Sequence, residues 1–360
     1  MTLLRPEGLG LSDVVDVADD ESLFEILDNE RVLALSHLGP GTGFRNEAAI
    51  VKSTGVRERR VMRLGVTALD VAIAVADRLR FDVGFDWNEC PAIGICHSHT
   101  DPDASQDLVD EMFAALDITR PKPYVINFGC TGYLRLLRFG AEALSQIESD
   151  APIPLLTIET PQQWHDAADR AFCGIISAGA TGSVLSRNGK HALQQSAIRS
   201  VRIPEADRNW ETLFRTEVGE YPEFTGGYST RTVMRMNGEH VFVNGVELMI
   251  DAVRKAMSRV DATNRRVLVA PHQPSGKMLR ALFAVLKEEF PDAVYLNNLE
   301  RYANSISSTI PTVLAHLDEV LAEQGQSPAQ QGDIIVLPAA GICMESKPTN
   351  LAQGWAVLEW

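Results

Sequence analysis

Cysteine is scarce in this chain: five residues in 360, with no Cys-x-x-Cys pair. Cys90, Cys96, Cys130, Cys173 and Cys343 are odd in number and scattered. That excludes a disulfide framework or a zinc ribbon and fits a reducing cytoplasm. Positive charge is also short. Lys and Arg number 33 against 48 Asp and Glu, a net charge of −15, whereas nucleic acid or an anionic membrane as main partner calls for the opposite balance. No run of 18 apolar residues is present, so no membrane span is expected. The opening Met1–Pro6 lacks the regions of a secretory signal, and a cytoplasmic location is expected.

What is present is an ordinary apolar complement, 45% hydrophobic and 22% charged, enough for one large domain or two fused ones. Short β-like runs alternate with longer helical ones, which predicts an α/β architecture. Helices are expected over Leu64–Leu79, Leu108–Leu116, Val246–Met257, Met278–Phe290 and Ser308–Leu321. Strands are expected at Ala92–Cys96, Pro123–Phe128, Arg266–Ala270, Ala293–Leu296 and Asp333–Leu337, with a hairpin of Phe172–Ile176 and Gly182–Leu185 broken by Gly179. Residues 1–185 read as one half and 233–360 as another. Residues 186–232, polar and carrying Trp210, Tyr221 and two adjacent glycines, read as an irregular connection. The similar order of elements hints at internal duplication.

Cys130 stands where the strand ending at Phe128 turns into an apolar helix that includes Tyr133, Leu134, Leu136 and Leu137. A thiol on a helix's first turn faces unpaired N–H groups and the positive end of the dipole, both of which favour the nucleophilic thiolate. A cysteine in apolar company is more commonly an inert core residue, so the assignment needs partners.

His97-Ser98-His99 invites a zinc reading, with Glu47 upstream and Ser105 and Asp107 downstream, in the manner of a zinc isopeptidase. The fit is poor. Thr100 stands where that pattern has proline, and the gap to its serine is short. No metal is expected, and His97 and His99 are expected on a structural strand.

A better constellation joins Cys130 to two other loops at strand ends, where α/β folds gather their sites. These are Ala270-Pro271-His272-Gln273-Pro274-Ser275-Gly276-Lys277 and Arg301-Tyr302-Ala303-Asn304-Ser305-Ile306-Ser307-Ser308-Thr309-Ile310-Pro311. With Cys130-Thr131-Gly132, Ser53-Thr54-Gly55-Val56-Arg57-Glu58-Arg59-Arg60, Met236-Asn237-Gly238-Glu239-His240-Val241-Phe242 and the ending Ala356–Trp360, they fall in one order. In these motifs the chain resembles the β-ketoacyl-acyl carrier protein synthase III family of the thiolase superfamily, over about residues 47 to 360.

The resemblance implies a thiolase fold, two pseudo-duplicated halves in a layered α/β/α/β/α arrangement, working as a homodimer without metal or redox cofactor. It implies Cys130, His272 and Asn304 as catalytic residues. Backbone N–H groups of Cys130 and of the Ala339-Ala340-Gly341 turn would form the oxyanion site, with Ala340 and Gly341 named for it. Cys130 would take an acyl group from a thioester on coenzyme A or a carrier protein, and a malonyl-type thioester would then lose CO₂ and condense with it. The alternative on the same fold passes the acyl group to a hydroxyl or amine. A non-catalytic subunit is disfavoured because all three residues are intact.

Several positions depart from the family. Ala49 and Ser53 stand where primary-metabolism members carry the adenine-stacking tryptophan and an arginine. Pro274-Ser275 replaces Ala-Asn, and Ser177-Ala178-Gly179-Ala180 replaces Phe-Gly-Asp-Gly. Glu345 to Gln353 reads as inserted, and residues 1–46 match poorly. A specialised, secondary-metabolic member is expected, its substrate-binding residues unassigned.

Overall fold

The computed structural model describes residues 3–39, 41–147, 150–204 and 212–360, so Trp210 lies outside the described residues. In the first half, Ala92–His97 is flanked in parallel by Lys122–Ile126 and Ile153–Glu159, and antiparallel Gly179–Arg187 closes the group. The second half repeats that order. Val267–Val269 lies between parallel Val294–Tyr295 and Ile334–Gly341, closed by antiparallel Asn350–Glu359. Two further strands join them: His191–Arg202 pairs with Asn350–Glu359, and Leu9–Leu11 pairs with both His191–Arg202 and Gly179–Arg187.

The Gly132–Ser145 helix lies between the halves and packs on strands of both. Its Leu134, Leu136 and Leu137 are fully buried with Ile310, Val313, Ile335 and Leu337 in one central core. Each such side chain contributes roughly 1.5–3 kcal/mol on leaving water. Ala68–Val83 and Ala104–Ala115 cover the outer face of the first half, and Gly238–Met257 and Gly276–Glu289 that of the second. The result is the layered α/β/α/β/α thiolase fold.

Four local readings change. The helix expected from Leu64 begins at Ala68, because Thr67 and Asp70 form a reciprocal cap and Leu64 is left in solvent. Phe172–Ile176 is not a strand. The Asp169 side chain and carbonyl draw the N–H groups of Ala171 and Cys173 into turns, and Gly179, expected to break the hairpin, is the first residue of the Gly179–Arg187 strand. The long helix near Ser308 divides into Thr309–Ala315 and Leu317–Glu323.

The described residues of 186–232 are not irregular. They hold the His191–Arg202 strand and a hairpin of Phe214–Pro222 with Tyr228–Met236, turned by Gly226 and Gly227 at positive φ. Their polar composition concealed this, since Gln195 and Ser196 are buried within the sheet.

Candidate functional site

Two strand ends deliver Cys130 and His272, and the end of the Leu299–Tyr302 helix delivers Asn304 where a strand end was expected. Beyond Lys122–Ile126 the chain makes a short 3₁₀ turn, Gly129–Thr131, that runs into the Gly132–Ser145 helix and sets Cys130 at its start. Gly129 has φ +58, and a Cβ there would run into the carbonyl oxygen of Ile342. His272 follows Val267–Val269, its N–H held by the Pro338 carbonyl at 2.9 Å. Asn304 is pinned through its backbone, its N–H donating to Ile175 and its carbonyl accepting from Ser177. The flanking Ala303 and Ile306 both take positive φ, a conformation that costs about 1–3 kcal/mol at a non-glycine residue.

Cys130, His272, Asn304, Ala340 and Gly341 all line one cavity of about 330 Å³. His272 Nδ1 lies 2.6 Å from the Thr309 hydroxyl, while its buried Nε2 has no partner among the described residues. Burial lowers His272 to about 3, so the imidazole is neutral at ordinary pH. Asn304 Oδ1 accepts from the Ile306 N–H and Nδ2 donates to the Pro274 carbonyl. That orients the amide and leaves Nδ2 a second hydrogen to give.

The thiol differs from the activated thiolate expected at a helix start. Burial and the nearby Glu159 carboxyl push Cys130 up to about 12, against the Ile342 and Cys130 N–H groups that face the sulfur. The resting thiol is therefore protonated. Of the three oxyanion positions expected from the sequence, Cys130 presents its N–H here. Ala340 and Gly341 stand just before Ile342, the other residue whose N–H faces the sulfur. Gly341 lies so close that a Cβ would sit 2.6 Å from Sγ.

Glu159 escaped the sequence reading. Fully buried at the end of Ile153–Glu159, it accepts from the hydroxyls and N–H groups of Ser98 and Ser307. Burial outweighs those four donors and raises it to about 8. An acidic residue closing an apolar strand was the available signal. His97 ends its strand with Nε2 3.2 Å from the Thr160 hydroxyl, and His99 stacks near it. Among the described residues no three His, Cys, Asp or Glu side chains are grouped to hold a metal.

No protein-family model matches the chain. A β-ketoacyl-[acyl-carrier-protein] synthase III of Clostridium novyi is 25% identical over 301 residues, 82% of this chain and 87% of that protein. The homologous enzyme of Cereibacter sphaeroides is 24% identical over 313 residues, 85% of this chain and 88% of its own. Among solved structures, the 3-oxoacyl-(acyl carrier protein) synthase III of Pseudomonas aeruginosa superposes with a TM-score of 0.70 at 21% identity, covering 98% of each chain.

Proposed function

From the premise that this chain is a divergent β-ketoacyl-acyl carrier protein synthase III-like member of the thiolase superfamily, we propose that it catalyses decarboxylative Claisen condensation through an acyl-Cys130 intermediate. The observation that carries this is the convergence of Cys130, the unpartnered His272 Nε2 and the oriented Asn304 amide on one cavity.

The chemistry follows from those groups. Cys130 Sγ attacks the acyl thioester carbon, the oxyanion is held by the N–H groups of Cys130 and Ile342, and the leaving thiolate departs with the proton Cys130 gave up. A malonyl-type thioester then loses CO₂, and its enolate oxygen accepts hydrogen bonds from His272 Nε2 and Asn304 Nδ2. The carbanion attacks the acyl carbon, a carbon–carbon bond forms, and the Cys130 thiolate leaves and is reprotonated. For Nε2 to donate, Thr309 must give its single hydroxyl proton to His272 Nδ1, at 2.6 Å, in preference to the Ile306 carbonyl at 3.1 Å. No metal or redox cofactor enters. The relatives' names support a carrier-protein thioester as substrate.

We take the working form to be a homodimer, because the Lys122–Ile126 strand ends the sheet with one side unpaired and leads directly to Cys130. Sedimentation at micromolar concentration tests it: a monomer overturns this part.

Intact-protein mass spectrometry tests the reaction. Wild type incubated with acyl-coenzyme A or acyl-carrier protein is expected to gain one acyl mass, and Cys130→Ala none. Malonyl-carrier protein should then discharge the adduct with release of CO₂. Discharge by alcohols or amines instead would establish acyl transfer to those acceptors, and an unchanged adduct in Cys130→Ala would remove Cys130 from the mechanism.

A further inference from the structure

Two residues that line the same cavity carry buried polar atoms that the condensation does not use. Trp164 and His165 both line it, and both side chains are almost entirely buried, at 2% and 0% exposure. Trp164 Nε1 and His165 Nε2 have no hydrogen-bond partner among the described residues. The rings are held firmly, with centroids 4.0 Å apart and His165 edge-on to Phe172 at 4.4 Å. Leaving two such groups unpaired carries a cost that a wall built only for an alkyl chain would avoid with phenylalanine or leucine.

Their hydrogen-bonding characters are opposite. Indole Nε1 carries a hydrogen and only donates. His165 Nδ1 lies 3.2 Å from the Pro161 carbonyl, which only accepts, so Nδ1 holds the proton and Nε2 presents a lone pair. Burial, with Arg231 and Arg235 nearby, keeps this ring neutral, so Nε2 stays an acceptor. A ketone satisfies Trp164 alone and an ammonium satisfies His165 alone. A hydroxyl serves both, accepting from the indole and donating to the imidazole.

We propose that this wall recognises a hydroxyl on the acyl group, and that the enzyme's acyl substrate is a hydroxylated one. The inference rests on acyl binding in the cavity that holds Cys130. Ile176, Ile306 and Ile342 line the same cavity and suit the carbon chain around that hydroxyl.

The test compares N-acetylcysteamine thioesters of hexanoic acid with the 3-, 4-, 5- and 6-hydroxyhexanoic isomers. Cys130 acylation is followed by intact mass. One isomer is expected to exceed hexanoyl in kcat/KM by on the order of 100-fold, the scale set by two buried groups left unpaired. His165→Leu and Trp164→Phe should each reduce that ratio to a few-fold, whatever their effect on the absolute rate with hexanoyl. Hexanoyl acylating wild type as well as every isomer overturns the proposal, whether or not the variants fold. If no thioester acylates Cys130, the proposed reaction fails instead. The recognition is then decided by calorimetric binding of the same thioesters to Cys130→Ala: tighter binding of a hydroxylated isomer sustains it, and equal affinities sink it.

Discussion

At the scale of single residues, the site is run by protons held in unusual places. Glu159 is the clearest case. Its folded value of about 8 stands above the ordinary 4.5, so the folded state keeps a proton that the unfolded chain has released between those two values. Its contribution is therefore full below pH 4.5, declines as pH rises and is lost above about 8. Glu159→Gln should remove that slope. Thermal melts from pH 4.5 to 9 are expected to show wild type gaining on the variant toward acid and losing toward base, and parallel curves would contradict the assignment. Thr309 acts on His272 through one proton. Thr309→Val should slow malonyl decarboxylation by about 10²-fold, the loss of one transition-state donor, with far less effect on acylation of Cys130. Thr309→Ser should restore it, and equal loss in both half-reactions would point to misfolding of the loop.

At the scale of elements, the segment bearing Asn304 stores strain where it meets the cavity. Ala303 ends the Leu299–Tyr302 helix at φ +54, ψ −154, a region that suits glycine. Ala303→Gly should relieve it and stabilise the fold by about 1 kcal/mol, after the entropy glycine loses on folding. The denaturant midpoint should rise with unchanged slope, while kcat falls as Asn304 loosens. A lowered midpoint would show that Ala303 sits there without strain. Elements were readable wherever periodicity and burial agreed, as in the apolar helix after Cys130 and the strand Ala92–His97. They were not readable where buried polar residues mimic a loop, as Gln195 and Ser196 do in His191–Arg202. Motif order points to Cys130, His272 and Asn304, which line one cavity. Nothing in the sequence points to Glu159, Trp164 and His165, because what sets them apart is burial and missing partners, which a linear pattern does not express.

At the scale of the whole molecule, the site exists only where the two halves meet. Gly129 from the first half passes against the Ile342 carbonyl of the second, and the Ile342 N–H faces the Cys130 sulfur. Gly129→Ala would place a side chain both at positive φ and against that carbonyl, so a loss of at least about 1–2 kcal/mol is expected from the backbone alone. Urea denaturation should show it, together with loss of the acyl-enzyme signal. Unchanged stability would mean that the halves are not tightly fitted at this seam.

The same seam has a consequence in time. A ribosome makes Cys130 long before Gly341 and Ile342, so the growing chain carries its thiol through most of its synthesis without the N–H group that answers it from the second half. The cavity around that thiol is complete only once the Ile334–Gly341 strand has docked, so an unfinished chain carries the cysteine without the site.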